Sequence, residues 1–241
     1  MAGAPLTEWP MSIEDLRHLH RYLRHLAELS KQEEGDEEFE AAEEDIELYA
    51  TAEGFGLGIR NAVRDLWRGD TELALFLAAM LFVIRAGFTR AWETGAQACG
   101  ITPQELTPEE IRRREQEIIL EVSFVNSFAL DILAFSRAAG GTLAPFLRRA
   151  EMWANRFGAI QGLATSMACQ DQKLMWIWNP LKDHCSDCAM YNGRVYRAST
   201  WAKYDIYPKM PSLECHGKHC GCSFVVTDAS VTPGRPPEPG G

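Results

Sequence analysis

The 241-residue sequence lacks the short motifs that mark several common enzyme classes. It has no G-x-x-x-x-G-K-[ST] phosphate loop, no G-x-S-x-G nucleophile turn and no H-E-x-x-H zinc-protease pair. Histidine is scarce, with six in the chain, and none of them opens the H-x-E pattern of the zinc deaminases. Because no set of nucleophile, base and oxyanion donors can be assembled, we expect a protein without enzymatic activity.

Targeting and membrane-crossing signals are also scarce. The first residues, MAGAPLTEWPMSIEDL, show no basic start followed by an apolar run, so we expect no secretory signal. The most apolar run, Leu73 to Ile84, has 12 residues before Arg85 and is shorter than the ~20 that cross a bilayer. We therefore expect a buried helix there, no membrane association, and a reducing compartment, where paired cysteines bind metal or carry out redox chemistry.

Basic residues are outnumbered, and the net charge is −10. Residues 32–47 contain ten acidic residues and no basic one. We interpret this stretch as a solvated helix face or a flexible acidic segment, with a docking patch for a basic partner as the alternative. Residues 173–222 have seven Lys or Arg against four Asp or Glu, too small an excess to indicate nucleic-acid binding by itself.

Helical patterns dominate the first 170 or so residues. Ser12 precedes a leucine stripe as an N-cap, and Thr107-Pro108 begins a helix that we predict to continue unbroken to Ala139. Two cysteines in this part, Cys99 and Cys169, are isolated in predicted helices, and we expect them to be buried small side chains.

The pattern changes at Lys173. Three segments with strand-type residues follow, KLMWIWNP, GRVYRA and CSFVVTD, and an Asn192-Gly193 turn precedes the second. So small a module buries little apolar surface, and a structural metal would stabilise it. We expect five segments: an N-terminal helix (1–31), an acidic segment (32–53), a helical body (54–172), a zinc-binding β module (173–228) and a disordered Pro/Gly tail (229–241).

Five of the seven cysteines lie in this module. The first knuckle, residues 185–188, is a C-x-x-C pair, and the second, residues 215–222, reads CHGKHCGC. Thiolates and imidazoles from two separated knuckles are typical of a tetrahedral zinc site. The candidate ligands number more than four, so they predict a closed structural site but leave its ligands open: Cys185, Cys188, Cys215, His216, His219, Cys220 and Cys222.

These cysteines also fit chemistry other than zinc binding. An iron–sulfur cluster would use the sulfurs of Cys185, Cys188, Cys220 and Cys222. Disulfides are a further alternative. A thioredoxin-type redox pair is disfavoured, because we expect C-S-D-C to follow a strand and loop and not to open a helix.

Taken together, the helical and strand patterns predict a mainly α fold class, a multi-helix body with long helices plus a small zinc-stapled β-rich module (α+β overall).

The C-terminal segment resembles that of phage head morphogenesis proteins, the Mu F-like minor head proteins, over roughly residues 150–228. The shared order is a tryptophan-bearing strand, C-x-x-C, an N-G turn, a stretch with prolines, and a histidine before C-x-C leading into a strand. Here these pieces are Trp176 and Trp178, Cys185 and Cys188, Asn192-Gly193, Pro208 and Pro211, then His216 with Cys220-Gly221-Cys222. The spacing departs by one residue, because the family's histidine lies three residues before the C-x-C pair and His216 lies four before Cys220.

This resemblance implies a non-enzymatic structural or assembly protein of a tailed-phage head. It implies few copies or an oligomeric ring, contact with the portal protein and major capsid protein, and a place in the virion interior or portal region after assembly in the host cytoplasm. The ligand set it favours is Cys185, Cys188, His216 and Cys220, with Cys222 and Cys215 as substitutes and His219 also open.

A zinc-dependent module that binds packaged double-stranded DNA is the alternative function. Basic and aromatic residues lie together in the loop between the knuckles: Arg194, Tyr196, Arg197, Trp201, Lys203, Tyr204 and Tyr207. Rings in this position either stack on nucleic acid or pack the small module itself.

Overall fold

The computed structural model describes residues 51–169, 171–182, 184–217 and 220–240. The predicted N-terminal helix (1–31) and nearly all of the predicted acidic segment (32–53) lie outside the described residues. The described chain is mainly helical with a small C-terminal sheet, which confirms the predicted fold class.

Helices build the first part. The helical body consists of α1 (Ala52–Arg68), α2 (Leu73–Gln97), a 3-10 turn (Pro103–Glu105), α3 (Pro108–Ser123), α4 (Val125–Ala134) and α5 (Ala144–Ala168). The C-terminal module contains β1 (Lys173–Ile177), α6 (Ser186–Tyr191), β2 (Val195–Arg197), α7 (Ala198–Lys203) and β3 (Ser223–Val226).

Small residues allow α2 and α5 to pack closely. A Cβ atom added at Gly95 of α2 would collide with the carbonyl oxygen of Gln161 in α5. The Thr165 hydroxyl donates to both the Gly95 carbonyl, at 3.0 Å, and the Gln161 carbonyl, at 2.9 Å. Because only glycine permits this approach, the α2–α5 contact is fixed at one point of the core.

Helix α2 is longer than the apolar run identified in the sequence. It continues past Arg85 and, by length and composition alone, is long and apolar enough to cross a membrane. In the structure one face of it is buried against α1 and α5 and includes Phe76, Met80, Ile84 and Trp92. The expectation of a buried helix therefore holds for that face of α2. Core helices of water-soluble folds also reach the length and apolar composition that crossing a membrane requires.

The helix predicted from Thr107 to Ala139 is not continuous. It begins as predicted, with the Thr107 side chain accepting from the Glu110 amide, but α3 ends at Ser123 and α4 begins at Val125. The break lets α4 pack against α1 and α2, where Phe128 and Ile132 are fully buried. Burial of these two side chains outweighs the helical continuity that the local sequence favours.

The three predicted strands form one antiparallel sheet in the order β2-β1-β3. Trp176 in the central strand is fully buried and contacts the rings of Tyr191, Trp201 and Phe224, with centroid separations of 4.7, 5.9 and 5.7 Å. The predicted turn is present, and the Gly193 amide donates to the Trp176 carbonyl at 2.8 Å. Aromatic rings thus supply most of the core of this small sheet.

The helical body and the C-terminal module share one hydrophobic core within a single compact unit, residues 46–241. Gly162 of α5 faces Pro208 and Gly158 faces the Lys209 side chain, so the module's loop lies directly on α5. The predicted boundary at 172/173 therefore separates two parts of one unit, and the two parts are not independent domains.

The predicted disordered tail, 229–241, instead packs on the module along its described residues. The Thr232 amide donates to the Val195 carbonyl at 2.8 Å, and the Val195 amide donates to the Thr232 hydroxyl at 2.9 Å. The Tyr191 hydroxyl donates to the Pro237 carbonyl at 2.8 Å. The tail thus pairs with backbone groups of edge strand β2 that would otherwise be unpaired. Its proline- and glycine-rich composition gave no sign of this contact.

Candidate metal centre

The first knuckle opens a helix. Cys185 is the N-cap of α6, and its sulfur accepts from the Cys188 amide at 3.4 Å. Cys188 is 1% exposed and lies one turn into the helix. The expectation that C-S-D-C does not open a helix is therefore wrong, and the helix it opens has six residues.

The second knuckle is shaped by backbone in the left-handed region. His216 has φ 49° and Gly217 has φ 71°, and the His216 amide donates to the Leu213 carbonyl at 2.7 Å. A Cβ at Gly217 would collide with the Lys209 carbonyl, so this position requires glycine. Cys215 precedes this turn and Cys220 and Cys222 follow it, and the sulfurs of all three belong to the same cluster.

Two carboxylates hold the knuckles together. Asp187, which is 1% exposed and lies between the two cysteines of C-x-x-C, accepts from the Glu214 amide at 2.7 Å. Glu214 in return accepts from the amide and hydroxyl of Ser186, at 2.9 and 2.8 Å. Sequence reasoning missed both carboxylates, although an acidic residue inside a C-x-x-C pair and another directly before Cys215 were visible signals.

Five cysteine sulfurs meet between the knuckles. Those of Cys185, Cys188 and Cys215 lie within 4.8 Å of one another, and so do those of Cys188, Cys220 and Cys222. The Cys188 and Cys220 sulfurs are 3.5 Å apart. Sulfurs around one tetrahedral zinc are separated by about 3.8 Å, given a zinc–sulfur bond of about 2.3 Å. The cluster can therefore hold a thiophilic metal ion with little rearrangement.

The sulfurs polarise one another. Hydrogen bonds from the thiols of Cys188 and Cys222 lower the pKa of Cys220 to about 2, and the hydrogen bond that Cys188 donates raises its own pKa. Burial raises the pKa of Cys215 to about 12. A metal ion would bind these sulfurs as thiolates and displace their protons.

A cationic side chain lies near this cluster. Desolvation lowers the pKa of the Lys209 ammonium, and the negative charges of Cys220 and Cys222 act in the opposite direction. Lys209 is only partly exposed and has φ 65°. A lysine held in such backbone geometry beside thiolates offsets part of their charge.

The predicted ligands do not all come together. Cys185, Cys188 and Cys220 lie in the cluster, and so do the two named substitutes, Cys215 and Cys222. His216 belongs to neither sulfur group. Its ring nitrogen Nδ1 lies 2.9 Å from the Pro211 carbonyl, and the exposed side chain lines a cavity of about 640 Å³ beside α3 and α5. His219 lies outside the described residues.

The two cysteines of the helical body are bonded to each other. Cys99 follows α2, Cys169 follows α5, and they form a disulfide with 5.4 Å between their Cα atoms. The expectation of two isolated, buried cysteines in helices is therefore wrong: the two are paired across 70 residues of sequence, both lie just after a helix, and only Cys169 is fully buried. This pair takes no part in the sulfur cluster.

Comparisons with known proteins add no relative. No protein-family model matches the chain, and no curated protein or solved structure matches it.

Proposed function

We propose that this chain is a non-enzymatic structural or assembly protein of a tailed-phage head, with a C-terminal module held together by structural zinc. The observation that carries the metal part is the meeting of the C-x-x-C helix and the C-x-C segment before β3 in one largely buried sulfur cluster. The phage part rests on the resemblance of residues 150–228 to Mu F-like minor head proteins.

The surroundings of the cluster favour a structural metal. Cys188, Cys220 and Cys222 are 1%, 7% and 1% exposed, so the sulfurs face protein. A catalytic zinc keeps an open position for water or substrate, whereas a structural zinc is closed by protein ligands. Five free cysteines are present, one more than the four ligands that a closed site needs.

In this proposal the module docks on the portal protein or the major capsid protein, in few copies or as a ring, inside the virion. The test is co-purification of the full chain with portal subunits of the same phage, and mass spectrometry of purified particles. Cys188→Ser should abolish co-purification because it removes the sulfur common to both groups. Leu181→Ala is the matched control, since that side chain in the same module is 90% exposed. Absence of the chain from particles, together with no co-purification by the unaltered protein, would overturn the proposal.

Double-stranded DNA binding remains the second candidate, with less support. The rings of Tyr196, Trp201 and Tyr207 are buried, so they pack the module and are not free to stack on bases. Arg197 donates to the Asp171 carbonyl at 3.0 Å, while Lys203 and Tyr204 remain near the surface. Binding measured from low to high salt separates the two functions, because contacts with phosphate weaken steeply as salt rises.

A further inference from the structure

The cluster has one sulfur more than a single zinc ion uses. A tetrahedral ion takes four thiolates, and five cysteines meet here. The five are not equivalent, because they divide into two groups of three that share Cys188 alone. Cys185 and Cys215 complete one group, and Cys220 and Cys222 complete the other.

Each group has the dimensions of a three-sulfur site. Three thiolates bound to one ion at about 2.3 Å are separated by about 4.0 Å when they lie in a plane with it. The sulfurs of each group lie within 4.8 Å of one another, close to that spacing. Cys188 belongs to both groups, so its sulfur is the one that could contact an ion held by either of them.

We propose that this cluster binds two zinc ions, bridged by the sulfur of Cys188. The inference rests on the proposed structural metal site and adds a second ion to it. Each ion then has three cysteine ligands, and one further protein donor is needed to close each ion as a structural site. Cys188 becomes the residue on which both ions depend.

The experiment is a metal titration of the full chain after removal of metal under reducing conditions. Co²⁺ replaces zinc as the probe, because its thiolate absorption rises with each ion bound, and native mass spectrometry then counts zinc ions directly. The unaltered protein should saturate at two equivalents. Saturation at one equivalent would overturn the two-ion inference and leave the structural metal site in place. No binding would overturn both, and iron with sulfide in the purified protein would also overturn the two-ion inference.

Variants assign the ions to the two groups. Cys215→Ser should retain one ion, held by Cys188, Cys220 and Cys222, and Cys188→Ser should lose both or hold one weakly. A Cys99→Ser/Cys169→Ser double variant is the matched control, because those sulfurs are outside the cluster, and it should still bind two ions. If Cys215→Ser binds as many ions as the unaltered chain, the assignment of an ion to its group is wrong.

Discussion

The side chain of Asp187 should control the stability of the metal module. Its two carboxylate oxygens accept from the Glu214 amide at 2.7 Å and from the Gly240 amide at 2.9 Å. Asp187→Ala removes both acceptors. Hydrogen bonds to a charged group contribute about 1.5–3 kcal/mol each. Because the Gly240 amide lies near solvent and can bind water, we expect a loss of about 2–4 kcal/mol in the free energy of unfolding.

Urea unfolding followed by tryptophan fluorescence, at a fixed excess of zinc, measures this loss. The variant should also bind zinc more weakly in competition with a chromophoric chelator, because the Glu214 amide directly precedes Cys215. Asp187→Asn keeps one acceptor oxygen and should lose about half as much stability. Asp171→Ala, at an exposed position, is the matched control and should change stability by less than about 0.5 kcal/mol. If Asp187→Ala matches this control in both measurements, Asp187 does not hold the second knuckle in place.

Three further outcomes are expected from other parts of the chain. Gly95→Ala should lower the free energy of unfolding by about 1–3 kcal/mol in thermal unfolding, because the added methyl collides with the Gln161 carbonyl; an unchanged melting temperature would contradict this close packing. Arg156→Ala should lower the free energy of unfolding by about 3–5 kcal/mol, since it takes the ion-pair partner from the largely buried Glu121 and leaves Glu117 with Arg113 alone; an unchanged free energy of unfolding in calorimetry would exclude a paired role. Hydrogen bonds from Thr102 lower the pKa of Glu105 below its ordinary 4.5, so the stabilisation is present above pH 4.5 and lost as pH falls through the lower folded-state pKa. An amide NMR titration that shows Thr102 unchanged down to pH 2 would refute that contact.

Local signals predicted much of the secondary structure. The capped start at Thr107-Pro108 is present as predicted, and so are the three strands of the module. These features depend on a few neighbouring residues, which the sequence displays directly. The break at Phe124 was missed because it follows from where Phe128 and Ile132 find their core partners, which lie on helices distant in sequence.

The candidate site was predicted in composition and missed in detail. C-x-x-C and C-x-C bring ligand types together by spacing, so Cys185, Cys188 and Cys220 could be chosen from the sequence. His216 could not be placed, because its direction depends on a backbone φ of 49° that spacing rules do not contain. The bond between Cys99 and Cys169 was out of reach for a similar reason, since it joins the ends of two helices 70 residues apart.

The anchored C-terminal segment has a consequence for the order of events during synthesis. Helices α1 to α5 and most of their contacts involve only residues made before Lys173. The Gly240 amide, by contrast, binds the carboxylate that lies inside the first knuckle. The knuckle therefore obtains its last hydrogen-bond partner only when the ribosome has released some 50 further residues. Until then the nascent chain carries a formed helical body beside cysteines that are still open to zinc, oxidants and chaperones.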